Sequence, residues 1–225
     1  MSRMDAAPSA PARRRTDDLF AEKLRRQLAE PLPGRVAQRE FAPENADETH
    51  FESSPLARRA AVVVLFFPDD GWRVPLIQRP QHLSHHPGQV GLPGGRLEPG
   101  ETSWEAARRE LWEELGVEAI EPLGALSPIA VTASNHLVEP FVAVVNERPT
   151  WTPSVGEVDR ILELRASDLL DATVRGHHTR SLDGQNVRTP HWLCDGTRIW
   201  GATAMILAEL AVVLAKMQGN RPRPR

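Results

Sequence analysis

Residues 95–117 read GRLEPGETSWEAARRELWEELGV, and this stretch decides the fold. Pro99-Gly100 makes a turn. Thr102 and Glu105 stand three apart, the spacing at which a hydroxyl and a carboxylate cap a helix start reciprocally. Gly116 sits where a left-handed residue ends a helix. These signals predict a helix over Ser103 to Leu115. Trp104, Ala107, Leu111 and Leu115 fall on one face, which should pack on a core. Glu110, Glu113 and Glu114 fall on another, at spacings that make side chains neighbours. Glu105 with Arg109 and Arg109 with Glu113 have ion-pair spacing, whereas Glu110 and Glu114 have no such partner. Crowded carboxylates repel, and a hard divalent cation with oxygen ligands removes that repulsion.

Working outward, Pro93-Gly94-Gly95 ends a short strand over Val90 to Leu92 and lets backbone approach a ligand. Gly95 can offer a carbonyl to a metal, and N–H groups here can face a phosphate. Upstream, Ala60 to Phe67 is an apolar, valine-rich strand, and Asp69-Asp70-Gly71 turns it into a returning strand over Trp72 to Gln78. Pro75 places that second strand at an edge. Residues 79–89 form a loop rich in His and Pro. Further strands are expected over Val117 to Leu126, Pro140 to Val145 and Val158 to Leu164. A short helix follows at Ala166 to Leu170, then a hairpin of Val174 to Arg180 and Val187 to Leu193 around Asp183-Gly184. The chain closes on an apolar helix from Gly201 to Met217. Runs of strands with two principal helices point to an α+β sandwich and not to a doubly wound sheet.

Residues 1–15, with Arg13-Arg14-Arg15 among Ala, Ser and Pro, read as a flexible tail. Residues 16–57 read as a helix capped by Thr16 or Asp17, then an irregular lead-in. Residues 58–218 form the main domain, and 219–225 a flexible basic tail. The net charge of −3 gives no global field for nucleic acid. No apolar run is long enough to cross a bilayer. Cys194 is the lone cysteine, so a disulfide within the chain is excluded and a reducing, cytoplasmic setting is expected. The partner is expected to be a small-molecule nucleotide, with no nucleic acid and no membrane; a homodimer stays open.

The segment from Gly95 to Val117 resembles the Nudix box. Its fixed positions are Gly95, Glu101, Arg109, Glu110, Leu111, Glu113, Glu114, Gly116 and Val117, and each is filled. The resemblance implies an α/β/α sandwich around a mixed β-sheet and hydrolysis of a nucleoside diphosphate linked to another group. It implies Glu110 and Glu114 as principal ligands of Mg²⁺ or Mn²⁺, with Glu113 as a further ligand or base and Gly95 contributing its carbonyl. Arg109 would pair with Glu101 and orient the ligands. The ion would offset the substrate's charge and polarise a phosphoryl oxygen, while a glutamate accepts a proton from the attacking water. Glu113 is the first candidate for that base and Glu157 the second. Arg79, His82, His85, His86 and Arg96, with the Gly94 backbone, would form the phosphate-binding rim.

Residues 76–95, LIQRPQHLSHHPGQVGLPGG, are similar to the signature of the coenzyme A pyrophosphatase subfamily at Leu76, Arg79, Gly88 and Pro93-Gly94-Gly95. They depart from it at Ile77, Pro80, Ser84 and Leu92. Ile199 to Ala204 also resembles that subfamily. The implied activity releases 3′,5′-ADP and 4′-phosphopantetheine from coenzyme A or acyl-coenzyme A. Alternatives are hydrolysis of ADP-ribose, a dinucleotide or a nucleoside triphosphate, or a Nudix module that only binds a nucleotide.

Overall fold

The computed structural model describes residues 10–83, 86–182 and 184–219, and only the backbone of residues 10–17 and Leu182. The expected tails at residues 1–9 and 220–225, together with Ser84, His85 and Asp183, lie outside the described residues.

The helices are α1 (Ala10–Leu28), α2 (Arg35–Gln38), α3 (Ser103–Leu115) and α4 (Ala202–Met217). The strands are β1 (Arg58–Pro68), β2 (Trp72–Gln78), β3 (Val90–Gly91), β4 (Gly94–Arg96), β5 (Glu121–Ala125), β6 (Ile129–Val131), β7 (His136–Val144), β8 (Arg160–Arg165), β9 (Arg175–Leu182), β10 (Gln185–Cys194) and β11 (Thr197–Ile199). The main sheet is mixed. β1 runs parallel to β7 from Arg58↔His136 to Phe66↔Val144. β5 and β6 pair antiparallel with β7, and β4 pairs antiparallel with the first half of β1. β2 leaves the end of β1 and pairs with β8 and β3. β9, β10 and β11 form a separate antiparallel sheet.

β1 shows why this is a sandwich. Side chains alternate across a strand. Ala61, Val63 and Leu65 pack with Ala107, Leu111 and Leu115 of α3. Val64 and Phe66 pack with the cluster that includes Leu207, Leu210 and Leu214 of α4. Both faces of the strand are therefore covered by helix, as a near-continuous apolar run requires.

Several expectations need correction. α1 begins at Ala10, so residues 10–15 are helical and Thr16 and Asp17 lie within a helix. Pro11 falls in the first turn, where no backbone N–H is needed. Leu24, Leu28, Phe41, Ala42 and Phe51 all enter the α4-side core, so the lead-in is part of the packed body. Pro75 does not lie on a strand at the sheet's edge, because β8 pairs along it. It does fall in a gap on the other side: pairing with β1 ends at Arg73 and pairing with β3 starts at Ile77. A missing N–H costs no registered pair there. Gly94 and Gly95 are in a strand, β4, and not merely at a strand's end. β6 and β11 were not expected; three-residue strands carry too little periodicity to read.

The single thiol, Cys194, is buried, and burial pushes its pKa up to about 12. It should resist iodoacetamide in the native protein and react once guanidinium unfolds the chain. Rapid native alkylation, followed by intact mass, would contradict this burial.

Candidate functional site

α3 starts and stops where the local rules place it. Thr102 accepts from the Glu105 N–H, and the Glu105 carboxylate accepts from the Thr102 N–H at 2.8 Å, completing the capping box. Gly116 is left-handed, with φ of 73°. Ala106, Ala107, Leu111 and Leu115 are buried, and Trp104 packs on Phe141 at 5.3 Å. Glu105 is occupied by the cap, so its expected pairing with Arg109 is not formed.

Arg109 instead gathers the other acids. It donates to Glu101 through Nε at 2.7 Å and Nη2 at 3.1 Å, and through Nη1 to Glu110 at 2.9 Å and Glu113 at 3.1 Å. Nη2 also reaches the Arg96 carbonyl at 3.0 Å, tying the helix to β4. Glu110 is therefore not without an ionic partner, as spacing suggested; the adjacent Arg109 turns back to it. Glu101 is held below the ordinary carboxylate range, chiefly by the hydrogen bond from Arg109.

Glu114 is the exceptional acid. Only 2% of it is exposed, and it accepts the Gly94 N–H at 2.8 Å. Burial raises its pKa to about 8, and the charges of Glu110 and Glu157 add to that rise. Glu110 is shifted upward too, first by burial and then by Glu113 and Glu157 against the pull of Arg109. Glu157 arrives from a loop docked on the open end of α3. The Thr152 N–H donates to the Leu115 carbonyl at 2.9 Å, and the Ser154 N–H to the Glu114 carbonyl at 3.1 Å. Those carbonyls have no partner within the helix, so satisfying them brings Glu157 toward the carboxylate pair.

Arg79 follows β2 directly, and its charge acts on Glu114. Its Nε is buried without a hydrogen-bond partner among the described residues. An unpaired buried guanidinium N–H is costly unless a ligand satisfies it. His86 is held by Gln89 at 3.0 Å, and His82 is exposed. Arg96 donates from Nε to His136 Nε2 at 3.2 Å. That contact makes Nε2 the acceptor, so Nδ1 carries the hydrogen that meets Ser134 Oγ at 2.9 Å. His136 was not singled out from sequence; a histidine opening a strand carries no local signal.

Gly95 lies against Glu110: an added Cβ would fall 2.3 Å from its Oε1. Gly95→Ala should therefore push the Glu110 carboxylate aside. Turnover is expected to fall on the order of 10²-fold, the scale of a displaced catalytic geometry, with the far-UV spectrum unchanged. Full activity in Gly95→Ala would remove Glu110 from the site.

Among the described residues, no three His, Cys, Asp or Glu side chains converge closely enough to hold an ion as they stand. Arg109 draws Glu110 and Glu113 toward itself. The donor chemistry still fits a hard cation: the half-buried carboxylate of Glu110 and the buried one of Glu114, beside the backbone of Gly94 and Gly95. A groove of about 670 Å³ lies beyond the far end of α3, between Gly116–Ala119 and Val145–Thr150. It holds none of these carboxylates, so chemistry and not volume locates the site.

A NUDIX domain family model matches residues 57–180. An uncharacterized Nudix hydrolase, NudL, of Salmonella paratyphi B is 30% identical over 154 residues, 62% of this chain and 79% of that protein. Among solved structures, the Nudix hydrolase RenU of M. smegmatis aligns with 82% of this chain and 98% of its own, at 17% identity and a TM-score of 0.49. An Ap4A hydrolase of C. elegans aligns with 49% of this chain and 83% of its own, at 23% identity and a TM-score of 0.43. With more than half its length matched by the family model, the chain belongs to the NUDIX domain family and is a Nudix diphosphatase acting on nucleoside diphosphate derivatives.

Proposed function

We propose that this diphosphatase cleaves coenzyme A or acyl-coenzyme A to 3′,5′-ADP and 4′-phosphopantetheine. One observation carries the substrate reading. The two segments that resemble coenzyme A pyrophosphatases, residues 76–95 and Ile199 to Ala204, are far apart in sequence and adjacent in space. A Cβ on Gly91 of β3 would meet Thr203 Oγ1 of α4 at 3.8 Å.

Nudix hydrolases generally use divalent ions such as Mg²⁺ or Mn²⁺, and here Glu110, Glu114 and the Gly95 carbonyl are proposed to hold one, with Glu113 as a further ligand. When bound, the ion supplies charge neutralisation and Lewis acidity at the diphosphate. The chain's own groups do the rest. Arg79 offers its unpartnered N–H to a phosphate oxygen, and Arg96 and His86 line the approach. Arg109 holds Glu101 and β4 in register with α3 and acts as a positioning residue. Glu157 accepts the proton of the attacking water in preference to Glu113. The support for that order is that Glu157 acts on both Glu110 and Glu114, while Glu113 is engaged by Arg109. A reducing cytoplasmic setting suits the single buried thiol.

The test is a panel of coenzyme A, an acyl-coenzyme A, ADP-ribose, NADH and dNTPs with Mg²⁺ or Mn²⁺, with products resolved by chromatography. The expected products are 3′,5′-ADP and 4′-phosphopantetheine. Turnover of ADP-ribose without turnover of coenzyme A would replace the substrate reading.

A further inference from the structure

A second polar cluster lies outside the carboxylate site, on one face of the β9–β10–β11 sheet. Residues opposite each other in an antiparallel ladder share a face. The pairs Gly176↔His191, His178↔Thr189 and Leu193↔Arg198 therefore share one, and Arg180 falls on it too. His178 Nδ1 and His191 Nδ1 are 3.2 Å apart. One proton serves that contact, and the ring that accepts at Nδ1 must carry its hydrogen on Nε2. At least one imidazole thus carries a hydrogen on Nε2. His191 can lie flat here only because residue 176 is glycine; a Cβ there would sit 2.7 Å from His191 Nε2. The Arg180 guanidinium stacks over Trp200 at 3.5 Å from the ring centroid.

The charge balance of this cluster is one-sided. Among the described residues, neither Arg180 nor Arg198 has a carboxylate within salt-bridge distance. Both histidines are shifted toward the neutral form, first by burial and then by neighbouring cations that include Arg198. Thr189, opposite His178, is fully buried, and its hydroxyl has no partner among the described residues. Trp200 leads into α4, whose N-cap, Gly201, makes no side-chain cap. The first N–H groups of α4 are therefore open, with the positive end of the helix dipole behind them. Gathered cations, an uncapped helix start and an orphan hydroxyl have one common remedy, an anion with several acceptor oxygens. β11 packs beside β3, and Gly91 of β3 is three residues from Gly94, roughly 10 Å of extended chain. One nucleotide spans that reach.

We propose that Arg180, Arg198, His178, Trp200 and the open first turn of α4 form a subsite for a phosphomonoester on the nucleoside half of the substrate, remote from the scissile diphosphate. The identity of that group rests on the coenzyme A reading, in which it is the 3′-phosphate. The subsite explains why positive charge stands next to Trp200 with no acid in salt-bridge distance among the described residues.

Calorimetry with 3′,5′-ADP and 5′-AMP in Mg²⁺, on the full chain, tests it without turnover. The wild type should bind the bisphosphate at least about tenfold more tightly, the scale of one charge-assisted contact. Arg180→Ala with Arg198→Ala should lose most of that advantage. Arg198→Ala alone, at an exposed position, serves if the double variant does not fold. Equal affinities in the wild type, or an advantage that survives the substitutions, would overturn the subsite even if coenzyme A is cleaved. An advantage that is present and lost in the variant, in a protein that leaves coenzyme A intact, upholds the subsite and rejects the coenzyme A reading.

Discussion

Glu114→Gln is expected to lose turnover on the order of 10²- to 10³-fold while the ion-free protein becomes more stable. The two effects share one cause. Glu114 is almost wholly enclosed, and its single close hydrogen bond is from the Gly94 N–H. Glutamine keeps the volume and an oxygen for that N–H but carries no charge to bury. The proposed ion would lose a ligand, and several kcal/mol of charge stabilisation in the transition state goes with it. The folded-state pKa is raised from an ordinary 4.5 to about 8. Stability contributed by the protonated carboxyl is therefore whole below about pH 4.5 and is lost as pH rises through 8. The variant lacks this loss. Melting curves with chelator at pH 5 and pH 8 should show wild type falling relative to Glu114→Gln, by roughly 2–8 °C at the upper pH if about 1–2 kcal/mol is involved. A variant that melts below wild type at pH 8 would show that the buried carboxylate is stabilising without an ion.

The second large effect is structural and lies in α4. Glu209 is fully buried among apolar neighbours. Its carboxylate accepts from the Gly34 N–H at 3.1 Å, Gln38 Nε2 at 3.1 Å, the Ser127 N–H at 3.2 Å and Ser127 Oγ at 2.7 Å. It thus fastens the lead-in and the loop between β5 and β6 to one helix. Removing the carboxylate strands several donors at once, at about 1–3 kcal/mol for each one left unsatisfied out of water. Glu209→Ala should lower the melting temperature by roughly 10 °C or more. Turnover at low temperature should persist, since the acids of α3 lie on the opposite face of the sheet. A variant that melts within 2–3 °C of wild type, about 1 kcal/mol on this scale, would mean the lead-in is held by apolar packing alone.

What could be read from sequence was local. The limits of α3 follow from Thr102, Glu105 and Gly116, all within a turn of the ends they define. The acidic face follows from helical spacing. What could not be read depends on groups brought together by the tertiary fold. Helical spacing alone offered Arg109 the carboxylate of Glu105, which the cap had claimed; its pairing with Glu101, which the family resemblance implied, is formed. Glu157 reaches the carboxylates only because its loop satisfies the last carbonyls of α3. His136 meets Arg96 across β1, with which β4 and β7 both pair. Glu209 sits in a stretch whose apolar pattern gave no sign that it anchors two distant segments. α1 starts earlier than composition suggests, because a first helical turn tolerates Pro11.

The parallel ladder between β1 and β7 also sets an order on folding. Every pair in it joins residues separated by the whole of α3 and five strands, from Arg58 with His136 to Phe66 with Val144. Such pairing closes slowly, because loop entropy is spent before any ladder bond repays it. Until Val144 has left the ribosome, the apolar run from Ala60 to Phe67 has an open edge and an incomplete cover. A chain stalled short of that point presents a valine-rich strand to solvent and to its neighbours. Synthesis of β7 thus closes that edge, while the other face of β1 stays uncovered until α4 follows.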